Sequence, residues 1–195
     1  MYRNLVNSLP NSEKKSYATT TINTDGFQAF ENSTYSIWPI YFMVNELPIK
    51  DRLKNLIIAG VWFSKSKPEM NKFLDSFVEK ANQLSTKGVL CDIKGKKRLI
   101  KIYYVNGVVD TPCRSEINGR VAFNSHFSCD CCFTPGEWSE GAMRFPISYP
   151  IPVLRNKTTN LEHTMEAEST ETEVYGIRHT SSLNYLSGYE IIRGT

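Results

Sequence analysis

The sequence predicts an α/β layer fold built on a mixed sheet. Three observations carry this expectation. Apolar, β-branched runs fill the first third of the chain, one strongly periodic helix follows them, and a hairpin then leads into a further strand and a second helix start. A long helix between strands has to return the chain beside an earlier strand, so a parallel pair is expected in the sheet.

The first strand is roughly Ser16 to Thr24, rich in β-branched residues, and it ends at Asp25-Gly26. The second, Ser36-Ile-Trp-Pro-Ile-Tyr-Phe-Met-Val, is apolar enough to be buried on both faces, and Pro39, which lacks an N–H, predicts an edge or a bulge. The third, Leu53 to Phe63, also reads as buried. The period then changes. Met70, Phe73, Leu74, Phe77, Val78, Ala81 and Leu84 recur at helical spacing between Pro68 and Gly88.

Val89–Ile93, the basic tip from Lys94 to Lys97 and the run from Arg98 to Val105 read as a hairpin whose second strand leads to Asp110. Thr111-Pro112 opens a helix with Cys113, Ile117 and Val121 on one face. The first dozen residues and the stretch from about Arg155 to Thr172 read as flexible or loop-rich. The expected division is a flexible N-terminus (1–15), a core (16–126), a cysteine knuckle with its loop (127–165) and a C-terminal segment (166–195).

Composition narrows the class. No apolar run is long enough to span a bilayer and the N-terminus lacks a signal-peptide pattern, so an intracellular soluble protein with no membrane partner is expected. Five cysteines, three of them packed at 129, 131 and 132, favour reduced thiols or a metal site over a disulfide framework. Residues 1–120 carry 18 Lys/Arg against 11 Asp/Glu, net +7, whereas residues 121–195 carry 5 against 9, net −4. The basic first part fits a surface facing a polyanion such as DNA, and equally fits solvated faces.

Two acids stand where apolar strands end. Hard divalent cations prefer carboxylate oxygens, and two such ions clamp the attacking and leaving oxygens of a phosphodiester, so Asp25 and Asp110 are candidate Mg²⁺ or Mn²⁺ ligands if the first and fourth predicted strands lie side by side. Each has a simpler reading: Asp25-Gly26 as a hairpin turn, Asp110 as a helix cap. Lys94, Lys96, Lys97, Arg98, Lys101 and Arg114 are candidate phosphate contacts. Cys129-x-x-Cys132 has the spacing of half a zinc site, and His126, Cys131, His163 and His179 are available to complete it.

The strings Thr24-Asp-Gly-Phe-Gln-Ala-Phe, Tyr35-Ser-Ile-Trp-Pro-Ile and Asn45-Glu-Leu-Pro resemble the start of the catalytic region of CACTA (En/Spm-like) transposases. So do Asp110 followed by Cys129-x-x-Cys132, then Arg144-Phe-Pro, His163 and the stretch from Tyr175 to Gly194. The resemblance spans about residues 17–195. It implies a ribonuclease-H-like fold, Asp25 and Asp110 as the first two catalytic, metal-binding acids, and Cys129 and Cys132 as zinc ligands with His163 taken as the third. It also implies a nuclear protein that acts on the DNA of transposon ends, with strand cleavage and transfer in intact relatives and homo-oligomers as a possibility. The family's third acid belongs to an Asp-x-Met-His motif expected beyond Thr195, so a catalytic-domain fragment is the leading expectation. The competing one is a domesticated, non-enzymatic module that binds DNA or protein around a structural zinc.

Overall fold

Four threonines and an isoleucine, all β-branched, make Tyr17–Thr24 a strand, β1, and its position in the sheet fixes everything around it. The computed structural model describes residues 7–10, 16–147 and 149–194, so the expected flexible N-terminus falls mostly outside the described residues. The chain forms two compact units, one of residues 1–109 with 182–195, the other of residues 110–181. Both expected inner boundaries, at 126 and 165, fall inside the second unit.

In the first unit, β3 (Ser36–Val44) pairs antiparallel with β1 on one side and with β4 (Ile57–Ser64) on the other. The chain then runs through α2 (Met70–Thr86), which follows a short helix α1 (Ile49–Arg52), and returns in the hairpin of β5 (Val89–Ile93) and β6 (Lys96–Gly107). β6 lies parallel to β1, from Tyr17 opposite Lys101 to Ile22 opposite Gly107. The expected parallel return is therefore present, and the sheet is mixed.

The α2 stripe that is legible in the sequence packs on this sheet. Leu74, Phe77, Val78 and Ala81 are buried with Ile22, Ile40, Phe42 and Tyr104, and the Tyr104 ring receives Phe42 and Phe77 edge-on at 6.1 and 5.4 Å. Each such large apolar side chain contributes about 1.5–3 kcal/mol by leaving water.

Of the edge or bulge expected at Pro39, the bulge is what forms: β3 has partners on both sides, and its pairing with β4 shifts register between Ile40 and Tyr41. The expected buried third strand is the exposed one, because β4 has no partner on its outer side among the described strands; Ile58, Val61 and Phe63 remain 61, 57 and 59% exposed. Its uninterrupted apolar sequence looks like that of a central strand, and composition cannot tell one from the other.

The second unit holds α3 (Thr111–Ile117), a small hairpin of β7 (Glu137–Ser139) and β8 (Ala142–Arg144), and α4 (Lys157–Thr170). α4 overturns the loop expected from Arg155 to Thr172. Asn156 accepts from the N–H groups of Thr158 and Thr159 while the Thr159 hydroxyl accepts from the Asn156 N–H, a capping box that closes the first turn. The helix buries only Thr164 and Ala167, the latter with Val174 and Ile177, so no apolar stripe marks it in the sequence. Among the described residues no helix is long and apolar enough to cross a membrane.

Candidate functional site

Asp25 sits in a break within a strand arm. The antiparallel register that pairs Thr24 with Ile40 resumes without slip where β2 (Phe27–Gln28) pairs Phe27 with Ile37. Asp25 and Gly26 therefore face Pro39 and Trp38 in an otherwise continuous arm, and the turn lies further on, between Gln28 and Ser36. The hairpin-dipeptide reading of Asp25-Gly26 is thus replaced by a ladder gap. Pro39 has no N–H to offer across that gap, which is why pairing lapses at the acid.

The gap is held open by packing. A β-carbon on Gly26 would lie 2.1 Å from Trp38 Cε2, and Trp38 is itself buried. Glycine is required here for space, since its φ is not positive. Asp25 is exposed, and its Oδ1 accepts from the Gly26 N–H at 2.7 Å, leaving Oδ2 toward solvent.

Asp25 also ends a polar row. Thr19, Thr21 and Asn23 alternate along β1 and so share one face of the sheet, and Asp25 follows them at the same two-residue spacing just past the strand. On that face Thr19 gives its N–H and hydroxyl to Glu46 at 2.9 and 2.7 Å, the Thr21 hydroxyl lies 2.8 Å from Asn45 Oδ1 and 2.9 Å from Asn106 Oδ1, and Asn23 Nδ2 donates to the Val108 carbonyl. A groove of about 310 Å³ lined by Thr21, Asn23, Tyr41, Met43, Leu53 and Val108 runs beside the row. Glu46 is no partner for Asp25: it pairs at Thr19, and six residues of strand separate the two by about 20 Å.

The parallel pairing carries β1 and β6 out of the sheet at the same end, with the Val108 N–H still donating to the Ile22 carbonyl at 2.8 Å. Asp25 is the first residue after β1, and Asp110 follows β6 by three. In the second unit Asp110 is the N-cap of α3, its Oδ1 accepting from the Cys113 N–H at 2.8 Å, so the capping role read from Thr111-Pro112 is present. Each of the two acids has one oxygen engaged by backbone.

The basic hairpin lies elsewhere. Lys94, Lys96, Lys97 and Arg98 are exposed around the β5–β6 tip, and β6 is twelve residues long, so its rise of about 3.3 Å per residue sets the tip roughly 35 Å from the end that leads to Asp110. Lys101, half-buried, sits nearly halfway along, beside Tyr17. Arg114 is engaged with Asp130 at 3.0 Å.

In the cysteine loop Cys129 Sγ and Cys132 Sγ stand 3.4 Å apart, close to the edge of about 3.8 Å that a tetrahedral zinc with bonds of about 2.3 Å would set. His163 Nδ1 is buried without a hydrogen-bond partner, its ring against Phe133 and Tyr175 at 5.2 and 4.7 Å. Burial, and then the Arg155 cation, hold its pKa below the ordinary histidine value. His126 is occupied by the Gly136 carbonyl. The described residues contain no group of three or more His, Cys, Asp or Glu side chains that could hold a metal, so His163 is not gathered to the thiols.

What holds this loop is Arg155, which the sequence reading passed over. It is 3% exposed, and its guanidinium donates to the carbonyls of Cys129, Cys132 and Phe127 at 2.9, 3.0 and 3.1 Å while lying over the Phe133 ring. Burial is the main cause that pulls its pKa down to about 10. Cys132 falls below the usual thiol range: hydrogen bonds from Thr134 and the Arg155 charge outweigh its burial, and burial chiefly raises Cys129. Asp130, between the cysteines, binds both Arg114 and Arg120. A scan of protein-family models and a search of curated proteins both find no match for this chain.

Proposed function

We propose that this chain is a transposase-derived DNA-processing domain of ribonuclease-H-like topology, in which Asp25 and Asp110 supply two of the carboxylates that hold Mg²⁺ or Mn²⁺. The observation that carries the reading is the parallel pairing of β1 with β6, inside the order β4, β3, β1, β6, with an acid just beyond the same end of each strand. Each acid keeps one oxygen free of its backbone bond, which suits a hard cation. The metal would polarise the scissile phosphate, and the basic hairpin would hold DNA backbone far from that point. Cys129 and Cys132 would give a structural zinc two thiolates, with His163 reaching it only after the loop rearranges. The protein acts in the nucleus under this reading.

The test is nicking of a supercoiled plasmid carrying terminal inverted repeats, with Mn²⁺. Cleavage that is lost in both Asp25→Asn and Asp110→Asn is expected. One observation favours a second reading, a non-enzymatic DNA-binding module: Asp110 already has a structural duty as a helix cap. Retarded migration of the same DNA without any cleavage by folded protein would decide for that module.

A further inference from the structure

A second surface, unrelated to the acids, matches a feature elsewhere on the same chain. Between β4 and α2 the first unit has an apolar groove of about 460 Å³ whose walls include Trp62, Phe73, Phe77 and Leu84, with Lys72 and Lys80 at its rim. Both lysines are exposed; Lys72 is held by Glu69 at 2.7 Å in a solvent-exposed pair of the weak kind that a second carboxylate can exchange, and Asp75 and Glu79 do not line the groove. Such a groove fits a helix that presents two apolar side chains one turn apart, flanked by carboxylates.

α4 is a helix of that kind turned to solvent. It buries Thr164 and Ala167, yet its two largest apolar residues, Leu161 and Met165, are 57 and 63% exposed. They lie four residues apart on one face, and Glu162 and Glu166, each next to one of them, are exposed as well. A helix that turns its large apolar groups outward and its small ones inward is arranged for a partner. The wider charge division agrees: residues 1–120 are net +7 and residues 121–195 net −4.

We propose that the protein self-associates by seating α4 of one copy in the β4–α2 groove of another, Leu161 and Met165 entering the groove and Glu162 and Glu166 facing Lys72 and Lys80. The contact is heterologous, joining different surfaces of identical chains. Charge sets its register, and the apolar pair holds it in place.

Sedimentation velocity on the full chain tests it. Wild type is expected to associate at about 100 µM in about 0.05 M NaCl and to dissociate in about 0.5 M NaCl, where the screening length is several-fold shorter. Lys72→Glu with Lys80→Glu, and separately Glu162→Lys with Glu166→Lys, should each give monomers, and mixing the two variants should restore a complex through the swapped charges. Leu161→Ser with Met165→Ser should also give monomers while leaving the melting temperature unchanged, because both side chains are exposed. A wild type that stays monomeric at low salt, association that survives any of these variants, or failure of the mixed charge-reversed pair to associate would overturn the proposal.

Discussion

Gly26→Ala probes the clamp on the first acid. If Asp25-Gly26 were an open turn, alanine would be tolerated, because Gly26 does not adopt positive φ. The geometry says otherwise: the new methyl would sit 2.1, 2.3 and 2.6 Å from Cε2, Cζ2 and Nε1 of Trp38, a side chain only 5% exposed and flanked by Ile40 in the core. Either the arm lifts from β3 or the indole leaves its site. Overpacking of this kind costs about 1–3 kcal/mol, and in a chain of this size each kcal/mol lowers the melting temperature by about 2–4 °C. The expected fall is thus roughly 3–10 °C by calorimetry, with a red shift of tryptophan emission if the indole moves. A variant melting within about 1 °C of wild type, with unchanged emission, would refute the clamp.

Asp110→Ala should cost about 1 kcal/mol through loss of the α3 cap, whereas Asp110→Asn keeps an acceptor and should melt like wild type while losing Mn²⁺ affinity; equal melting of both would remove the cap. Tyr104 is a neutral phenol whose pKa is pushed up to about 12 by burial, against about 10 unfolded. Its contribution is therefore full below about pH 10 and is lost as pH rises toward about 12, at most roughly 2–3 kcal/mol, so Tyr104→Phe should flatten the alkaline end of the stability profile. Arg155→Lys keeps the charge but not the fork, and hydrogen bonds to charged groups are worth about 1.5–3 kcal/mol each, so faster proteolysis confined to residues 110–181 is expected. Replacing Lys94, Lys96, Lys97 and Arg98 by Ser should reduce the slope of log K against log salt for duplex DNA by about 3–4 without changing Mn²⁺ binding.

Where local chemistry repeats, the fold was legible in the sequence. α2 declares itself through seven apolar residues at helical spacing, and the hairpin at Lys94-Gly95 through its flanking strands. What lay hidden was long-range. β4 and β3 have equally apolar sequences, and only pairing decides that one is central and the other an edge. α4 was missed because its signal is a cap, Asn156 with Thr159, followed by a helix whose large apolar residues face outward.

The site divides in the same way. Asp25 and Asp110 were found from their positions after strands, but the gap around Asp25 depends on Pro39 and Trp38, which meet it only through the register of β3. The alternation of Thr19, Thr21, Asn23 and Asp25 was a usable period-two signal for the polar face, whereas Glu46, Asn45 and Asn106 join it by tertiary pairing alone. Arg155 carried no signal beyond being an isolated cation after an apolar run, and its role exists only once three carbonyls converge on it.

Titration of Mn²⁺ into the folded chain, followed by electron paramagnetic resonance of the free ion, addresses the two acids most directly. A saturable site that weakens at least about tenfold, or about 1.4 kcal/mol, in Asp25→Asn and again in Asp110→Asn is the predicted result. Binding that is indifferent to either substitution would contradict a cation shared by the ends of β1 and β6.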